Sequence, residues 1–161
     1  MVLIVMGVSG AGKTTIGKAL ASALGWTFVD ADDLHPASNI AKMARNEPLT
    51  DADRDPWLAR VRDVIAGSLA AEASLVVACS ALKARYRARL AADDPRVRFV
   101  YLNASEEVLA RRLADRPRHF AGPGLLASQL ASLEEPRDAT VVDADGSPAA
   151  IVDEIKRRLS L

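Results

Sequence analysis

The chain has 161 residues, half of them hydrophobic, which is enough for one compact domain and too few for two ordinary ones. Lys and Arg number 21, as do Asp and Glu, so the net charge is zero and gives no reason to expect nucleic acid or an anionic membrane as a partner. The one cysteine, Cys79, excludes an internal disulfide and fits a reducing compartment, so we expect a cytoplasmic protein.

The first segment of the chain, Val2–Met6, is an uninterrupted apolar run, typical of a parallel strand covered on both faces. It is too short to span a membrane and has no basic segment before it, so we expect no membrane association. Further strands are predicted over 26–30, 75–79, 98–102 and 140–143, and helices over 13–24, 53–71, 81–90, 105–116, 125–133 and 148–159. This alternation predicts an α/β fold with a parallel sheet, in a single domain over 1–161.

Two segments read as insertions into this simple core. Residues 35–72 are charged and mostly helical in pattern, with a break at Pro48. Residues 117–124, PRHFAGPG, are rich in Pro and Gly and predict a loop that could close as a lid.

The turn after the first strand carries the strongest signal in the chain. Residues 7–14 read GVSGAGKT and fit G-x-x-x-x-G-K-[ST] in full, with a strand before them and a helix after them. Glycines let several backbone N–H groups converge on a phosphate, which the helix N-terminus also attracts. Lys13 can reach the β- and γ-phosphates, and the Thr14 hydroxyl can bind Mg²⁺. The residues predicted to bind ATP here are Gly7, Ser9, Gly10, Ala11, Gly12, Lys13, Thr14 and Thr15.

An acidic pair follows the second strand. Alternation along a strand would place Asp30 and Asp32 on one face and turn Asp33 away. Ligands of open parallel sheets bind at the carboxyl ends of the strands, so we assign Asp30 to Mg²⁺ and Asp32 to the attacking hydroxyl of the substrate. The competing interpretation is a helix cap or a solvated turn.

Basic side chains of the middle segment could bind an acidic substrate. Arg54 is the first candidate for a carboxylate, because a guanidinium can bind it through two parallel hydrogen bonds. Lys42 and Arg45 either contact the ligand or form a solvated helix face. Lys83 follows the third strand, again at a carboxyl end. Cys79 reads as a buried small side chain rather than a nucleophile.

Positive charge also clusters at the predicted lid, in Arg111, Arg112, Arg116, Arg118 and His119. Phosphoryl transfer needs cations around the migrating group, and a closing lid can supply them while excluding water. We assign Arg116 to the transferring phosphoryl group and Arg112 to the nucleotide.

Several longer motifs resemble the gluconokinase family. They are Asp30–Pro36, Asn39-Ile40, Lys42-Met43, Glu47–Leu49, Asp51, Asp53-Arg54, Pro56-Trp57, Cys79–Lys83, Tyr86-Arg87, Arg116, His119-Phe120, Gln129 and Leu133–Pro136. The resemblance covers nearly the whole chain, and the middle motif is more specific than the phosphate loop.

The resemblance implies a P-loop fold of the nucleoside-monophosphate-kinase type, with a five-stranded parallel sheet, a helical substrate-binding insert and a lid. It implies transfer of the ATP γ-phosphate to the 6-hydroxyl of D-gluconate, a sugar-acid substrate, and often a homodimer. It also implies that His35, Arg87 and His119 bind the substrate.

Two alternatives remain at this stage. Shikimate kinase has a similar size and fold and also uses an acidic pair with an arginine. A P-loop module that binds nucleotide without transferring phosphate belongs to a different functional class. The acidic pair and the lid arginines argue against that module.

Overall fold

Five strands form one sheet in the computed structural model, which describes residues 1–45, 47–115 and 123–161, the side chains of residues 123 and 124 excepted. The strands are β1 (Val2–Met6), β2 (Thr27–Asp30), β3 (Leu75–Ala78), β4 (Val97–Asn103) and β5 (Thr140–Asp143). Every neighbouring pair is parallel, and the order across the sheet is β2-β3-β1-β4-β5. The predicted five-stranded parallel sheet is therefore confirmed.

Helices cover both faces of the sheet. They are α1 (Lys13–Leu24), α2 (Ala37–Ala44), α3 (Asp51–Ala70), α4 (Ala84–Ala91), α5 (Glu106–Ala114), α6 (Pro123–Ser132) and α7 (Pro148–Leu159), with a short 3₁₀ helix at Ala31–Leu34. None of the helices in the described ranges is both long and apolar enough to cross a membrane.

Strand β1 lies at the centre and divides the core into two layers. Its alternate residues face opposite sides, and all five are fully buried. Val2, Ile4 and Met6 pack in the layer that contains α3 and α4. Leu3 and Val5 pack in the layer that contains α1, α5 and α7. An apolar run without polar alternation is what a strand in this position requires.

The strand order fixes the place of the phosphate loop. The chain leaves β1 for the edge strand β2, returns through β3, and then continues on the other side of β1 through β4 and β5. The loop after β1 thus lies at the carboxyl edge, at the point where the connections diverge. Open α/β sheets bind their ligands at such a point.

Several predicted helix boundaries are shifted by a few residues, and two of the shifts have a clear local reason. Helix α3 begins at Asp51, earlier than predicted, because Thr50 and Asp53 form a reciprocal capping box. Helix α4 begins at Ala84 rather than 81, because Ala81 has φ 45° and Lys83 is extended. Helix α5 ends at Ala114, two residues before the predicted end at 116.

Candidate active site

The phosphate loop is built from backbone conformations that suit glycine. Gly10 and Gly12 have φ values of 86° and 95°, in the left-handed region that other residues rarely adopt. Gly12 also caps the N-terminus of α1, so the helix begins at Lys13, directly at the end of the turn. The backbone N–H groups of the first helical turn and the helix dipole therefore meet at one point, as phosphate binding requires.

Lys13 and Ser9 lie on this loop and already make contacts within the protein. The Lys13 ammonium donates a hydrogen bond to the carbonyl oxygen of Val8, 3.0 Å away. The Ser9 backbone N–H donates to Oε1 of Gln129 on α6, at 2.6 Å. The side chain of Gln129 thus joins helix α6 to the phosphate loop. Ala11 is buried behind the loop, and Thr15 is exposed on the first turn of α1.

Thr14 and Asp30 meet at the mouth of the cleft. The Thr14 hydroxyl donates to Oδ2 of Asp30 at 2.7 Å. Both side chains line a cavity of about 450 Å³ with Lys18, Phe28 and Asp33 among its other walls. A hydroxyl and a carboxylate are hard oxygen ligands, and Mg²⁺ is usually held by one or two carboxylates together with phosphates and water. The pair fits Mg²⁺, and the described residues contain no larger acidic, His or Cys cluster that could hold a metal.

The predicted strand alternation fails directly after Asp30. Asp32 and Asp33 lie in the 3₁₀ helix, and Asp30 caps that helix by accepting the Asp32 N–H at 3.1 Å. Asp33, which alternation would turn away, lines the same cavity as Thr14 and Asp30. The capping interpretation and the metal interpretation are therefore compatible, because the two carboxylate oxygens of Asp30 serve different partners. Asp32 is exposed, and its assignment to the substrate hydroxyl stays a prediction.

His35 is held tightly at the end of the 3₁₀ helix. The residue is only 8% exposed, and its ring stacks on Trp57 with the ring centroids 4.5 Å apart. Burial, together with the positive charge of Arg54, lowers the pKa of His35 to about 4, so the ring is neutral near pH 7. A neutral imidazole of this kind can form hydrogen bonds but adds no charge to the site.

Two predicted substrate lysines are already paired with aspartates at the start of α3. Lys42 binds both carboxylate oxygens of Asp53, at 2.8 and 2.9 Å, which lowers the pKa of Asp53 to about 2. Lys83 donates to Asp51 at 3.1 Å. The pKa of Asp51 lies far below its usual range, because Arg85, Tyr86 and Lys83 all donate hydrogen bonds to it. These lysines position α3, and their contact with the substrate stays a prediction.

The arginines of the middle segment differ in their partners. Arg45 is exposed and pairs with Glu47 at 2.7 Å, on the surface. Arg54 is half-buried one turn before Trp57, and among the described residues its side chain has no hydrogen-bond or ion-pair partner. Its charge nevertheless acts on His35. Arg54 is therefore the guanidinium of this segment that remains available for a carboxylate.

Arg87 and Cys79 lie behind the cleft. The Arg87 side chain is buried and donates to the carbonyl oxygens of Ala81 and Leu82, at 3.0 and 3.1 Å. These bonds hold the turn that carries Lys83. Because they engage the Arg87 guanidinium, the predicted contact of Arg87 with the substrate is unsupported. Cys79 is 1% exposed, and burial raises the pKa of its thiol to about 12. Such a thiol is protonated and unreactive, as predicted.

Arg112 bridges two loops beside the phosphate site. It donates to the carbonyl oxygen of Ala144 after β5 at 2.7 Å and to that of Ala11 at 3.4 Å. Its predicted nucleotide contact is untested, but the guanidinium lies against the phosphate loop. Arg116 and His119 lie outside the described residues, as does most of the predicted lid over 117–124, and their roles stay predictions.

Sequence reasoning gave no role to the residues that join the two halves of the site. Glu134 accepts the Ala84 N–H at 2.7 Å, and its own N–H donates to the Leu82 carbonyl oxygen at 2.9 Å. Gln129 on the same segment reaches Ser9. The only signal was that both residues belong to the motifs of the family resemblance, because nothing in their local pattern indicates such distant partners.

Comparison with known proteins agrees with this geometry. The model of the shikimate kinase family matches residues 9–160. A gluconokinase of Gluconobacter oxydans (strain 621H) is 46% identical over 158 residues, which cover 96% of this chain and 89% of that protein. A crystal structure of a gluconokinase from Sinorhizobium meliloti 1021 superposes with a TM-score of 0.87 at 44% identity, covering 98% of this chain and 90% of that one. A shikimate kinase structure from Bacteroides thetaiotaomicron has a TM-score of 0.69 at 19% identity, with 100% and 99% covered, which shows a shared fold.

The sheet order, the phosphate loop and the Thr14–Asp30 pair define a P-loop kinase that acts on a small molecule. Within that class, identities of 38–46% over most of the chain show that the chain belongs to the gluconokinase family. The family expected from the sequence motifs is confirmed.

Proposed function

We propose that this enzyme transfers the γ-phosphate of ATP to the 6-hydroxyl of D-gluconate, giving 6-phosphogluconate and ADP. The observation that carries the proposal is the placement of two complementary half-sites at one sheet edge. A phosphate loop with an oxygen pair for Mg²⁺ lies beside a segment with an available guanidinium and a neutral imidazole. Relatives named gluconokinase, matched over most of their length, support this choice of acceptor.

The acceptor half fits a polyhydroxy acid better than a nucleotide. Arg54 would bind the carboxylate through its two terminal nitrogens, because its charge is not neutralised by any described side chain. His35 and the exposed carboxylate of Asp32 would form hydrogen bonds with hydroxyl groups. The neighbouring lysines are neutralised by Asp51 and Asp53, so the segment does not present a broad cationic surface.

The residues of the chain have separable tasks in the transfer. The 6-oxygen of gluconate forms a bond to the γ-phosphorus while the bond from that phosphorus to the ADP oxygen breaks, and Asp32 accepts the hydroxyl proton. Lys13 and Arg116 stabilise the charge on the migrating group. Thr14 and Asp30 would hold Mg²⁺, which when bound neutralises phosphate charge.

A coupled assay of ADP release tests the proposal directly. The enzyme is supplied with ATP and Mg²⁺ and with gluconate, shikimate, AMP or no acceptor, and phosphorus NMR identifies the product. We expect turnover with gluconate alone and phosphate on carbon 6. Folded protein that binds ATP but shows no turnover with gluconate would contradict the proposal.

Shikimate is the second candidate, because the matching family model carries that name. Structures of shikimate kinases are only 17–19% identical and thus support the fold and not the acceptor. Turnover with shikimate in place of gluconate would establish this alternative. Acceptor-independent ATP binding without turnover would instead favour the non-catalytic module.

The cofactor, assembly and compartment complete the proposal. We propose that Mg²⁺ is required, that the enzyme is a homodimer and that it acts in the cytoplasm, as a single domain with a substrate insert near 35–72 and a lid near 117–124. Light scattering after gel filtration should give twice the mass of one chain. Chelation of Mg²⁺ should abolish turnover, and readdition should restore it.

A further inference from the structure

The His35 ring is fixed in place by neighbours that leave it almost no rotational freedom. It stacks nearly parallel on Trp57, with an angle of 10° between the planes. The indole N–H of Trp57 in turn donates to the carbonyl oxygen of Ala31 at 2.7 Å. Trp57 is 2% exposed and belongs to the core. The plane of the imidazole is therefore set by the packing of α3 against the 3₁₀ helix.

The side-chain amide of Asn39 decides which ring nitrogen carries the hydrogen. Its Nδ2 lies 2.8 Å from the backbone carbonyl oxygen of Asp53, which can only accept. The atom facing that carbonyl must therefore be the amide nitrogen, and the orientation of the amide is unambiguous. The second hydrogen of the same nitrogen points at Nδ1 of His35, 3.2 Å away. Asn39 is 2% exposed, so water does not compete for these bonds.

An amide nitrogen cannot accept a hydrogen bond, so Nδ1 of His35 must offer its lone pair. A neutral imidazole with a bare Nδ1 carries its hydrogen on Nε2. In the part of the chain that the structure describes, no side-chain nitrogen or oxygen is both enclosed and unpartnered. The described residues supply no partner for Nε2, so this is the ring nitrogen that is left for a ligand oxygen.

We propose that Asn39 is a positioning residue that fixes His35 as the Nε2–H tautomer, so that His35 donates a hydrogen bond to an oxygen of the acceptor substrate and cannot act as a base. The inference rests on the proposed function only for the identity of that acceptor. The chemical class it selects is a hydroxyl or carboxylate oxygen with a free lone pair. An analogue lacking that oxygen would displace water from this donor without replacing its hydrogen bond, and is therefore bound less tightly.

The tautomer can be measured without any activity. The full-length protein is labelled with ¹⁵N-histidine, and long-range ¹H–¹⁵N correlations are recorded near pH 7. The chain has two histidines, so a His119→Gln variant assigns the spectrum. We expect a protonated Nε2 and a bare Nδ1 for His35, and added gluconate should shift the Nε2–H signal most. A protonated Nδ1 in the unmodified protein would overturn the proposal.

A matched pair of variants tests the role of Asn39. Both Asn39→Ala and Asn39→Asp lose the donor to the Asp53 carbonyl, but only Asn39→Asp places an acceptor against Nδ1. We expect Asn39→Asp to move the hydrogen to Nδ1 and to raise KM for gluconate about tenfold beyond Asn39→Ala, with KM for ATP unchanged. A shifted tautomer with equal KM values in both variants would show that the substrate does not use this donor.

These readouts separate the two proposals. If gluconate is not a substrate, the spectrum of the protein alone still tests the proposed tautomer of His35. If a variant fails to fold, which far-UV circular dichroism detects, the spectrum of the unmodified protein decides the outcome.

Discussion

The phosphate half and the acceptor half of the site are built in different ways. The phosphate half is local and uses mostly backbone, since residues 7–14 supply the whole turn. Distant residues only support it, through the contacts of Asp30 with Thr14, Gln129 with Ser9 and Arg112 with Ala11. The acceptor half uses side chains from the 3₁₀ helix, α2, α3 and the β3–α4 turn. Most of its charges are neutralised by pairs such as Lys42–Asp53 and Lys83–Asp51.

The difference separates affinity for phosphate from choice of acceptor. Backbone conformation determines phosphate binding, so few side-chain changes can redirect it. In the acceptor half, the choice of substrate depends on which side chains have no partner within the protein. A single substitution can create or remove such a side chain. The following changes test this contrast, from the largest expected effect to the smallest.

Replacing Lys13 with Ala should have the largest effect on turnover, through the phosphate half of the site. We expect kcat to fall about 10³-fold or more, because a cation that stabilises the transferring phosphoryl group is lost. The coupled ADP-release assay measures kcat, and circular dichroism checks that the fold is intact. Lys156→Ala on α7 is the control and should retain normal turnover. Near-normal kcat in Lys13→Ala would remove this loop from the chemistry.

Replacing Arg54 with Ala should affect the acceptor half alone. We expect KM for gluconate to rise about 10- to 100-fold, with KM for ATP unchanged, because a charge-assisted hydrogen bond is worth roughly 1.5–3 kcal/mol. Arg89→Ala is the matched control, since Arg89 pairs with Asp55 on the surface at 2.7 Å. Equal KM values for gluconate in the two variants would exclude Arg54 from the site.

Acidification should lower the free energy of unfolding of the protein, because the imidazole of His35 is buried in its neutral form. Its folded pKa of about 4 is below the ordinary 6.5, so the unfolded chain takes up the proton first as the pH falls. The stabilisation is complete above pH 6.5, falls as the pH is lowered, and is lost below pH 4, by about 3 kcal/mol at most. Urea unfolding of the enzyme and of His35→Gln at several pH values measures this. A constant difference between the two proteins across that range would contradict the shift.

Two glycines offer the smallest and most controlled test of backbone conformation. A Cβ at Gly12 would meet only ordinary contacts, at 3.8 Å or more, but its φ is 95°. Gly67 lies within helix α3 with nothing within 4 Å of such a Cβ. We expect Gly12→Ala to cost about 1–2 kcal/mol and to weaken ATP binding, and Gly67→Ala to gain up to about 1 kcal/mol. Thermal unfolding and ATP titration compare them, and equal stabilities would show that the left-handed turn is not strained by a side chain.

Much of the fold could be predicted because its signals are local. The apolar run at 2–6 indicated the central strand, and short segments between the predicted helices indicated the other four strands. The errors fell where a neighbour interrupted the pattern. Asp30 caps a 3₁₀ helix, so the chain does not continue as a strand after it. As a result Asp33, and not Asp32, lines the cavity. The capping box at Thr50 started α3 before the predicted residue.

The sequence by itself determined the phosphate loop, the parallel sheet and the family, because each depends on neighbouring residues or on motifs read in order. Only the tertiary structure decided which cations are left to bind an acid and which nitrogen of His35 carries the hydrogen. Lys83 and Asp51 are 32 residues apart, and Asn39 reaches a carbonyl 14 residues away. The free energy of burying a charge or an amide depends on the partner that packing brings to it, and sequence spacing does not contain that information.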